Sequence, residues 1–291
     1  MVKWRNREGS KNVEDRRGAV GAAGLSGLAI LIIRFVFSRF GIGGVVVLVG
    51  GFFALRAVGV DPLALLNGQP ATGGGELTQA DEEAGDFSSV ILRETELAWD
   101  RRFAEAGSRY EPPRLVLFSS QTNSGCGFAS AAMGPFYCPA DKTVYLDTNF
   151  FAELSRRFGA PGDFAAAYVI AHEVGHHVQT ITGISAEVRK IQARSSKVEQ
   201  NALQVRMELQ ADCYAGIWAN DARGILEAGD IEEGLRAASA IGDDNLQRQA
   251  GREVKQENFT HGSSEQRVRW FTTGYRTGSV EACDTFSTRS L

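Results

Sequence analysis

Residues 171–177 read AHEVGHH and contain the pattern H-E-x-x-H at positions 172–176. In a helix, His172 and His176 lie one turn apart on the same face, so both imidazoles can reach one metal ion at about 2 Å. Glu173 lies one step round the helix, where its carboxylate can reach a water on the ion without binding the ion itself. The stretch therefore predicts a metal ion, a water that the ion activates and a general base beside it.

The surroundings of this pattern favour a working site over a chance match. The pattern lies in an apolar segment that is predicted to be a helix over 163–182, with Asp163 as its N-cap and Gly183 at its end. It also holds three of the four histidines of the chain. The alternative is a helix that carries histidines on its surface.

A third metal ligand is expected from another part of the chain, because a catalytic zinc has three protein ligands and one open position. The string ELQAD at 208–212 places Glu208 and Asp212 four residues apart on one helical face. Both carboxylates lie in apolar sequence, where a charge needs a partner. We therefore predict that Glu208 binds the metal and that Asp212 accepts a hydrogen bond from a ligand histidine. Glu187 and Glu199 are the alternatives for the third ligand.

Two histidines remain outside the predicted ligand set. His261 precedes a predicted helix and is a candidate to donate a hydrogen bond to the oxyanion of a tetrahedral intermediate. An equally simple role for His261 is a contact with the backbone at the start of that helix. His177 points away from His172 and His176 and is predicted to be structural.

Around these motifs, the sequence predicts an α+β domain over 86–291, which is long enough for a single core. The segment 119–127 is expected to be loop, and the polar segment 184–200 is expected to form an extra helix or a flap. The expected elements are a helix at 86–106 with Asp86 as its N-cap, strands at 115–118, 136–138 and 143–147, and helices at 163–182, 196–220, 231–241 and 264–277.

Composition limits the class of protein and its partners. The chain has 291 residues and a net charge of −4, with 43% apolar and 23% charged residues, which is typical of a folded globular protein. It has no overall basic excess, so nucleic acid is not expected as a partner. The charge is unevenly spread, because residues 1–39 contain eight Lys/Arg and three Asp/Glu. A basic start before an apolar segment is typical of a membrane protein whose N-terminus lies in the cytoplasm.

The apolar segment 40–60 is long enough to span a bilayer, since about 20 helical residues suffice. We predict that it is a signal anchor in the bacterial cytoplasmic (inner) membrane, with the basic segment 1–39 in the cytoplasm. Residues 61–85 are rich in Gly, Pro, Thr and acidic side chains and are predicted to be a flexible linker. The domain at 86–291 then lies on the outer, periplasmic side. The alternatives are a second span at 18–33, which would return the domain to the cytoplasm, and a cleaved signal peptide.

The four cysteines offer one or two bridges, which an exported location permits. Cys126 and Cys138 flank the loop before the predicted strands, and a bridge between them would brace it. Cys213 and Cys283 are the remaining pair. The alternative is reduced, buried cysteine, and a cysteine metal site is not expected because the chain lacks a C-x-x-C pattern.

In combination, the motifs resemble those of the bacterial neutral zinc metallopeptidase family, the YpfJ-like proteins. The matching strings are NVEDRR at 12–17, HEVGHHVQ at 172–179, ELQADCYAG at 208–216, IGDD at 241–244 and HGSSEQR at 261–267. The resemblance covers nearly the whole chain and implies a zincin-like catalytic domain behind one transmembrane helix. It also implies zinc as cofactor, with His172, His176 and Glu208 as ligands and Glu173 as base. One departure is the spacing of 36 positions between His172 and Glu208, which is longer than in familiar zincins with a glutamate ligand.

The predicted activity is hydrolysis of peptide bonds in a peptide or protein substrate. Zinc lowers the pKa of its bound water to about 7, and Glu173 takes the proton and passes it to the leaving amine. Zinc stabilises the oxyanion, and His261 is a candidate to donate a hydrogen bond to it. By analogy with zincin-like folds, we expect the substrate to pair with a sheet edge at 136–138 or 143–147. The alternatives are an exported zinc-binding scaffold and a hydrolase of non-peptide amides.

The NVEDRR string at 12–17 is expected to be a solvated tail. The alternative is that it contacts cytoplasmic partners or anionic lipid headgroups.

Overall fold

The computed structural model describes residues 1–17, 77–156 and 162–291. Met1–Arg16 and Thr78–Leu291 form one compact unit, in which a mixed sheet lies against a set of helices. In chain order the elements are β1 (Val13–Asp15), α1 (Gln79–Glu105), β2 (Arg114–Phe118), β3 (Gln121–Ser124), β4 (Gly127–Ser130), β5 (Phe136–Cys138), β6 (Thr143–Asp147), α2 (Asn149–Arg156), α3 (Asp163–Ile181), α4 (Ile184–Gln192), α5 (Lys197–Asp221), α6 (Asp230–Ala240), α7 (Asp243–Gln249) and α8 (Ser264–Thr277).

The main sheet has the strand order β1-β2-β6-β5, so β5 lies at an edge. Strands β1, β2 and β6 are parallel, and β5 runs antiparallel to β6 with Phe136 opposite Tyr145. Strands β2 (RLVLF) and β6 (TVYLD) have apolar centres and are buried at every residue except Arg114, as expected of strands that are covered on both faces. In the described part of the chain, no further strand pairs with the outer edge of β5.

Helices α3, α5 and α8 form the centre of the helical layer. Two glycines allow α5 and α8 to touch through their backbones. A Cβ atom added to Gly216 would collide with the carbonyl oxygen of Phe271, and one added to Gly274 would collide with the carbonyl oxygen of Cys213. This close packing fixes α5 beside α8. Helix α5 also packs against α3, and these two helices carry the predicted metal ligands.

The predicted α+β layout agrees with the structure, and the predicted helices at 196–220, 231–241 and 264–277 match α5, α6 and α8 within one residue at each end. The segment predicted as loop at 119–127 instead forms most of the β3–β4 hairpin. The first helix begins at Gln79, not Asp86, so the predicted linker ends earlier than expected. The reason is a capping box in which Thr78 and Asp81 bond each other's backbone N–H.

Residues 1–16 belong to the same compact unit as the domain, whereas the NVEDRR string at 12–17 was expected to be a solvated tail. Strand β1 lies within the NVEDRR string, and its Val13 pairs with Leu115 of β2. The backbone N–H of Val2 donates to both carboxylate oxygens of Asp163, the first residue of α3, at 3.0 Å. The start of the chain therefore braces both the sheet and the helix that carries H-E-x-x-H.

Among the described residues, no helix is long and apolar enough to cross a membrane. The predicted anchor at 40–60 and the apolar run at 18–33 lie outside the described residues.

Candidate metal centre

The three predicted metal ligands meet between α3 and α5. His172 and His176 project from one face of α3, with their ring centroids 4.8 Å apart, and Glu208 faces them from α5. The Glu208 carboxylate lies 3.2 Å from the Nε2 atom of His172 and 3.5 Å from the Nε2 atom of His176. The side chains of His172 and Glu208 are each 8% exposed and that of His176 is 17% exposed, so the cluster faces solvent on one side only.

These distances fit a zinc ion. Two atoms that each lie about 2.0–2.1 Å from one ion in a tetrahedral arrangement are about 3.3 Å apart. The observed separations of 3.2 and 3.5 Å bracket that value without any movement of the backbone. Two imidazoles and one carboxylate also form the donor set of catalytic zinc sites that keep a fourth position for water or substrate.

Asp212 lies behind His172 and orients it. Its carboxylate accepts a hydrogen bond of 2.8 Å from His172 Nδ1, so the Nε2 atom of that ring is directed to the metal position. Asp212 also accepts from the hydroxyl of Tyr168 at 2.5 Å and from two nitrogens of Arg267 at 2.8 Å each. Asp212 is fully buried, and Arg267 supplies the cation that its charge requires.

The charges of the cluster are mutually dependent. Burial alone lowers the pKa of His172, but the charge of Asp212 and hydrogen bonds to Asp212 and Glu208 raise it to about 10. Burial raises the pKa of Glu208, yet His176 and His172 together hold it well below its ordinary value. The carboxylates are therefore ionised, and a cation that binds here displaces protons from the histidines.

Gly175 explains how α3 and α5 come close enough for this arrangement. A Cβ atom at position 175 would lie 3.0 Å from the carbonyl oxygen of Ala211 and 3.3 Å from its Cβ atom. Both values are tighter than ordinary van der Waals contact, so a larger residue would push the helices apart. The glycine inside H-E-x-x-H thus sets the distance between the histidines and the ELQAD string.

The cluster lines a cleft of about 610 Å³. Glu173 and His261 line the cleft together with the three ligands, so the structure brings all five predicted residues of the reaction to one place. Phe136 and Tyr137 of the edge strand β5 form part of the wall. Of the two strands predicted to bind substrate, only β5 is at an edge, because β6 lies between β2 and β5.

His261 is held in the cleft by Asp243. The carboxylate of Asp243 accepts from the backbone N–H groups of Thr260, His261 and Gly262 at 2.6, 2.6 and 3.1 Å. Its other oxygen lies 3.3 Å from Nδ1 of His261. The hydrogen bond to Asp243 raises the pKa of His261. This aspartate of the IGDD string therefore shapes the loop and favours the cationic form of the histidine.

The alternative ligands lie elsewhere. Glu187 is exposed and pairs with Lys190, and Glu199 caps the start of α5 through Ser196.

His177 lies on the side of α3 away from the ligands, as predicted. It is placed between the carbonyl of Glu111 and the Tyr137 ring of the edge strand β5. Its Nε2 atom donates to that carbonyl at 2.6 Å, so its Nδ1 atom accepts from the hydroxyl of Tyr137 at 3.1 Å.

Both cysteine pairs that the sequence offered form disulfides. Cys126–Cys138 joins the β3–β4 hairpin to the end of the edge strand β5, and Cys213–Cys283 joins α5 to the C-terminal segment.

Sequence reasoning missed three polar residues of the site, Tyr168, Arg267 and Gln179. Tyr168 lies one helical turn before His172, which is a usable signal for a shared face, whereas the partner of Arg267 is 55 residues away.

Known proteins match the chain over almost its whole length. The family described as putative neutral zinc metallopeptidase matches residues 2–286. Uncharacterized protein YpfJ of Escherichia coli K12 is 45% identical over 294 residues, which cover 98% of this chain and 99% of that protein. Uncharacterized protein Rv2575 of Mycobacterium tuberculosis is 41% identical over 257 residues, which cover 80% of this chain and 85% of that protein. No solved structure matches the chain.

Proposed function

Because the chain belongs to the family of putative neutral zinc metallopeptidases, we propose that it is a zinc-dependent peptidase that hydrolyses peptide bonds in its cleft. The observation that carries this proposal is the cluster of His172, His176 and Glu208, whose separations suit zinc, with Glu173 lining the same cleft. The position of the H-E-x-x-H helix beside an antiparallel edge strand supports a zincin-like arrangement.

The chemistry is divided between the metal and the side chains of the cleft. Bound zinc supplies a Lewis acid that makes water nucleophilic near neutral pH and polarises the substrate carbonyl. Glu173 accepts the proton of the attacking water and then donates it to the leaving amine. His261, whose cationic form the hydrogen bond to Asp243 favours, donates a hydrogen bond to the oxyanion. Asp212 holds His172 in the tautomer that presents Nε2 to the ion.

The open edge of β5 supports an extended peptide as the substrate. A peptide backbone that adds to Phe136–Cys138 would lie along the wall of the cleft that faces α3. Main-chain pairing of this kind accepts many sequences, while side-chain pockets select among them. We therefore propose unfolded segments of proteins, or peptides, as the substrate class.

The activity is tested with the full chain, loaded with zinc, and a denatured protein as substrate, with new N-termini as the readout. We expect cleavage by the wild type, and a loss of about 10²–10⁴-fold in Glu173→Gln, which removes the base and leaves the ligands. The control is Glu187→Gln, an exposed carboxylate outside the ligand set. Equal cleavage by Glu173→Gln and the wild type would refute the proposed role of Glu173. No cleavage by the zinc-loaded wild type would favour a scaffold or another amide substrate.

We also propose that the protein is attached to a membrane through its apolar segment 40–60 and acts on the outer side of the cytoplasmic membrane. The two disulfides support an oxidising compartment for the domain. Since β1 pairs with β2, residues 1–16 would lie on that same side. The apolar run at 18–33 and the segment 40–60 would then enter and leave the membrane as a pair.

The side of the membrane is tested with the full chain carrying one epitope at its N-terminus and another at its C-terminus. Intact spheroplasts are treated with protease, and a cytoplasmic protein of the same cells serves as the control for leakage. We expect the protease to reach both epitopes while the control stays whole. Protection of both epitopes would place the domain in the cytoplasm, and protection of the N-terminal epitope alone would contradict the pairing of β1 with β2 in the cell.

A further inference from the structure

The two ligand histidines are oriented by different kinds of partner. His172 is held by the charged pair of Asp212 and Arg267, whereas the Nδ1 atom of His176 lies 2.9 Å from the side-chain oxygen of Gln179. Gln179 is one turn further along α3 and is fully buried. A neutral amide therefore occupies the position behind His176 that an ionised carboxylate occupies behind His172.

Backbone carbonyls determine which way this amide points. The side-chain nitrogen of Gln179 lies 2.8 Å from the carbonyl oxygen of Met207 and 3.1 Å from the side-chain oxygen of Gln210. A carbonyl oxygen only accepts, so the group that faces Met207 must be the NH₂ group. The oxygen of Gln179 then faces His176 and accepts the proton on Nδ1, which leaves the Nε2 lone pair for the metal.

A second amide fixes the first from the far side. Gln210 is also buried, and its nitrogen donates to the carbonyl oxygen of Cys283 at 3.1 Å. Its oxygen is thereby left as the acceptor for Gln179. Cys283 is itself tied to Cys213 of α5 by the disulfide. A series of three hydrogen bonds therefore connects the Cys283 carbonyl through Gln210 and Gln179 to His176. In each of them the donor and the acceptor are fixed.

We propose that Gln179 is a positioning residue for the metal centre, and that Gln210 acts through it. Together they select the tautomer of His176 that presents Nε2 and hold its ring in the plane that faces Glu208. The proposal concerns metal binding and rests on the ligand set, not on peptide hydrolysis. Its test therefore fails or succeeds independently of whether the protein cleaves peptides.

The test measures zinc affinity of the full chain by competition with a chelator, together with the visible absorption spectrum of the cobalt-substituted protein. Gln179→Met removes the acceptor at similar volume, and we expect it to weaken zinc binding by about 10–100-fold and to alter the cobalt spectrum. Gln210→Met should weaken binding less. Because the two amides act in series, the double variant should bind zinc as Gln179→Met does, within about twofold. Gln247→Met, at a glutamine that does not line the cleft, is the matched control.

A further variant separates positioning from packing. Gln179→Glu keeps an oxygen for His176 but loses the NH₂ group that bonds Met207 and Gln210, so it should unfold more readily yet bind zinc more tightly than Gln179→Met. Thermal unfolding with a chelator present monitors the fold of each variant. Wild-type zinc affinity and an unchanged cobalt spectrum in Gln179→Met would overturn the proposal. So would weaker zinc binding by Gln179→Glu than by Gln179→Met.

Discussion

Replacing Arg267 by methionine tests the charge that stabilises the carboxylate behind the metal ligands. Arg267 is 2% exposed and donates two hydrogen bonds of 2.8 Å to the buried Asp212. Removal of one partner of a buried ion pair costs about 3–5 kcal/mol, because the other charge stays buried without compensation. Tyr168 and His172 still donate to Asp212, so we expect the lower end, about 3 kcal/mol. In a domain of this size the midpoint of thermal unfolding then falls by about 6–12 °C.

The assay is thermal and denaturant-induced unfolding of the full chain with a chelator present, so that metal binding does not add to the stability of the folded state. Lys190→Met is the matched control, because Lys190 forms an exposed ion pair with Glu187 that contributes little. Adding Asp212→Asn to Arg267→Met should restore part of the loss, since a buried amide costs less than a buried unpaired carboxylate. A loss in Arg267→Met no larger than in the control would refute the reasoning.

Three other contacts can be tested by substitution or deletion. Asp243→Asn removes the carboxylate whose hydrogen bond, and to a smaller extent its charge, raise the pKa of His261, so the cationic donor is lost at lower pH and the alkaline limb of the pH–rate profile shifts to lower pH; an unmoved limb would contradict this role. Gly216→Ala drives a Cβ atom into the backbone of α8 and should destabilise the fold by about 1–3 kcal/mol in thermal unfolding, whereas Gly224→Ala, in open space, should not. Deletion of residues 1–16 removes β1 and should lower the unfolding midpoint; an unchanged midpoint would show that the segment does not brace the domain.

The metal site could be predicted from the sequence because its parts are local. The spacing of four in 172–176 and again in 208–212 places each pair of side chains on one helical face, and each string lies in a long apolar helix. The one assumption was that the helix with 172–176 packs against the helix with 208–212, so that their side chains share one site. The glycine at position 175 permits that close approach, but the sequence does not say which partner helix it faces.

The parts that could not be predicted depend on contacts between distant residues. Strand β1 has three residues, and it is stable only because it pairs with β2, about 100 positions later. A strand that short has no periodic signal of its own. The β3–β4 hairpin was missed because its strands, QTNS and GFAS, are polar or small and resemble loop sequence. The role of Gln179 likewise depends on distant acceptors, the backbone carbonyl of Met207, 28 positions later, and the side-chain oxygen of Gln210, 31 positions later.

The central claim is that His172, His176 and Glu208 form an open zinc site with Glu173 beside it but outside the ligand set. The most direct measurement is the zinc content of the full chain after dialysis, for the wild type and for His172→Ala, Glu208→Gln and Glu173→Gln. The account predicts one zinc per chain in the wild type and in Glu173→Gln, with loss in the other two. Retention of zinc by both His172→Ala and Glu208→Gln, or no zinc in the wild type after zinc is supplied at neutral pH, would contradict it.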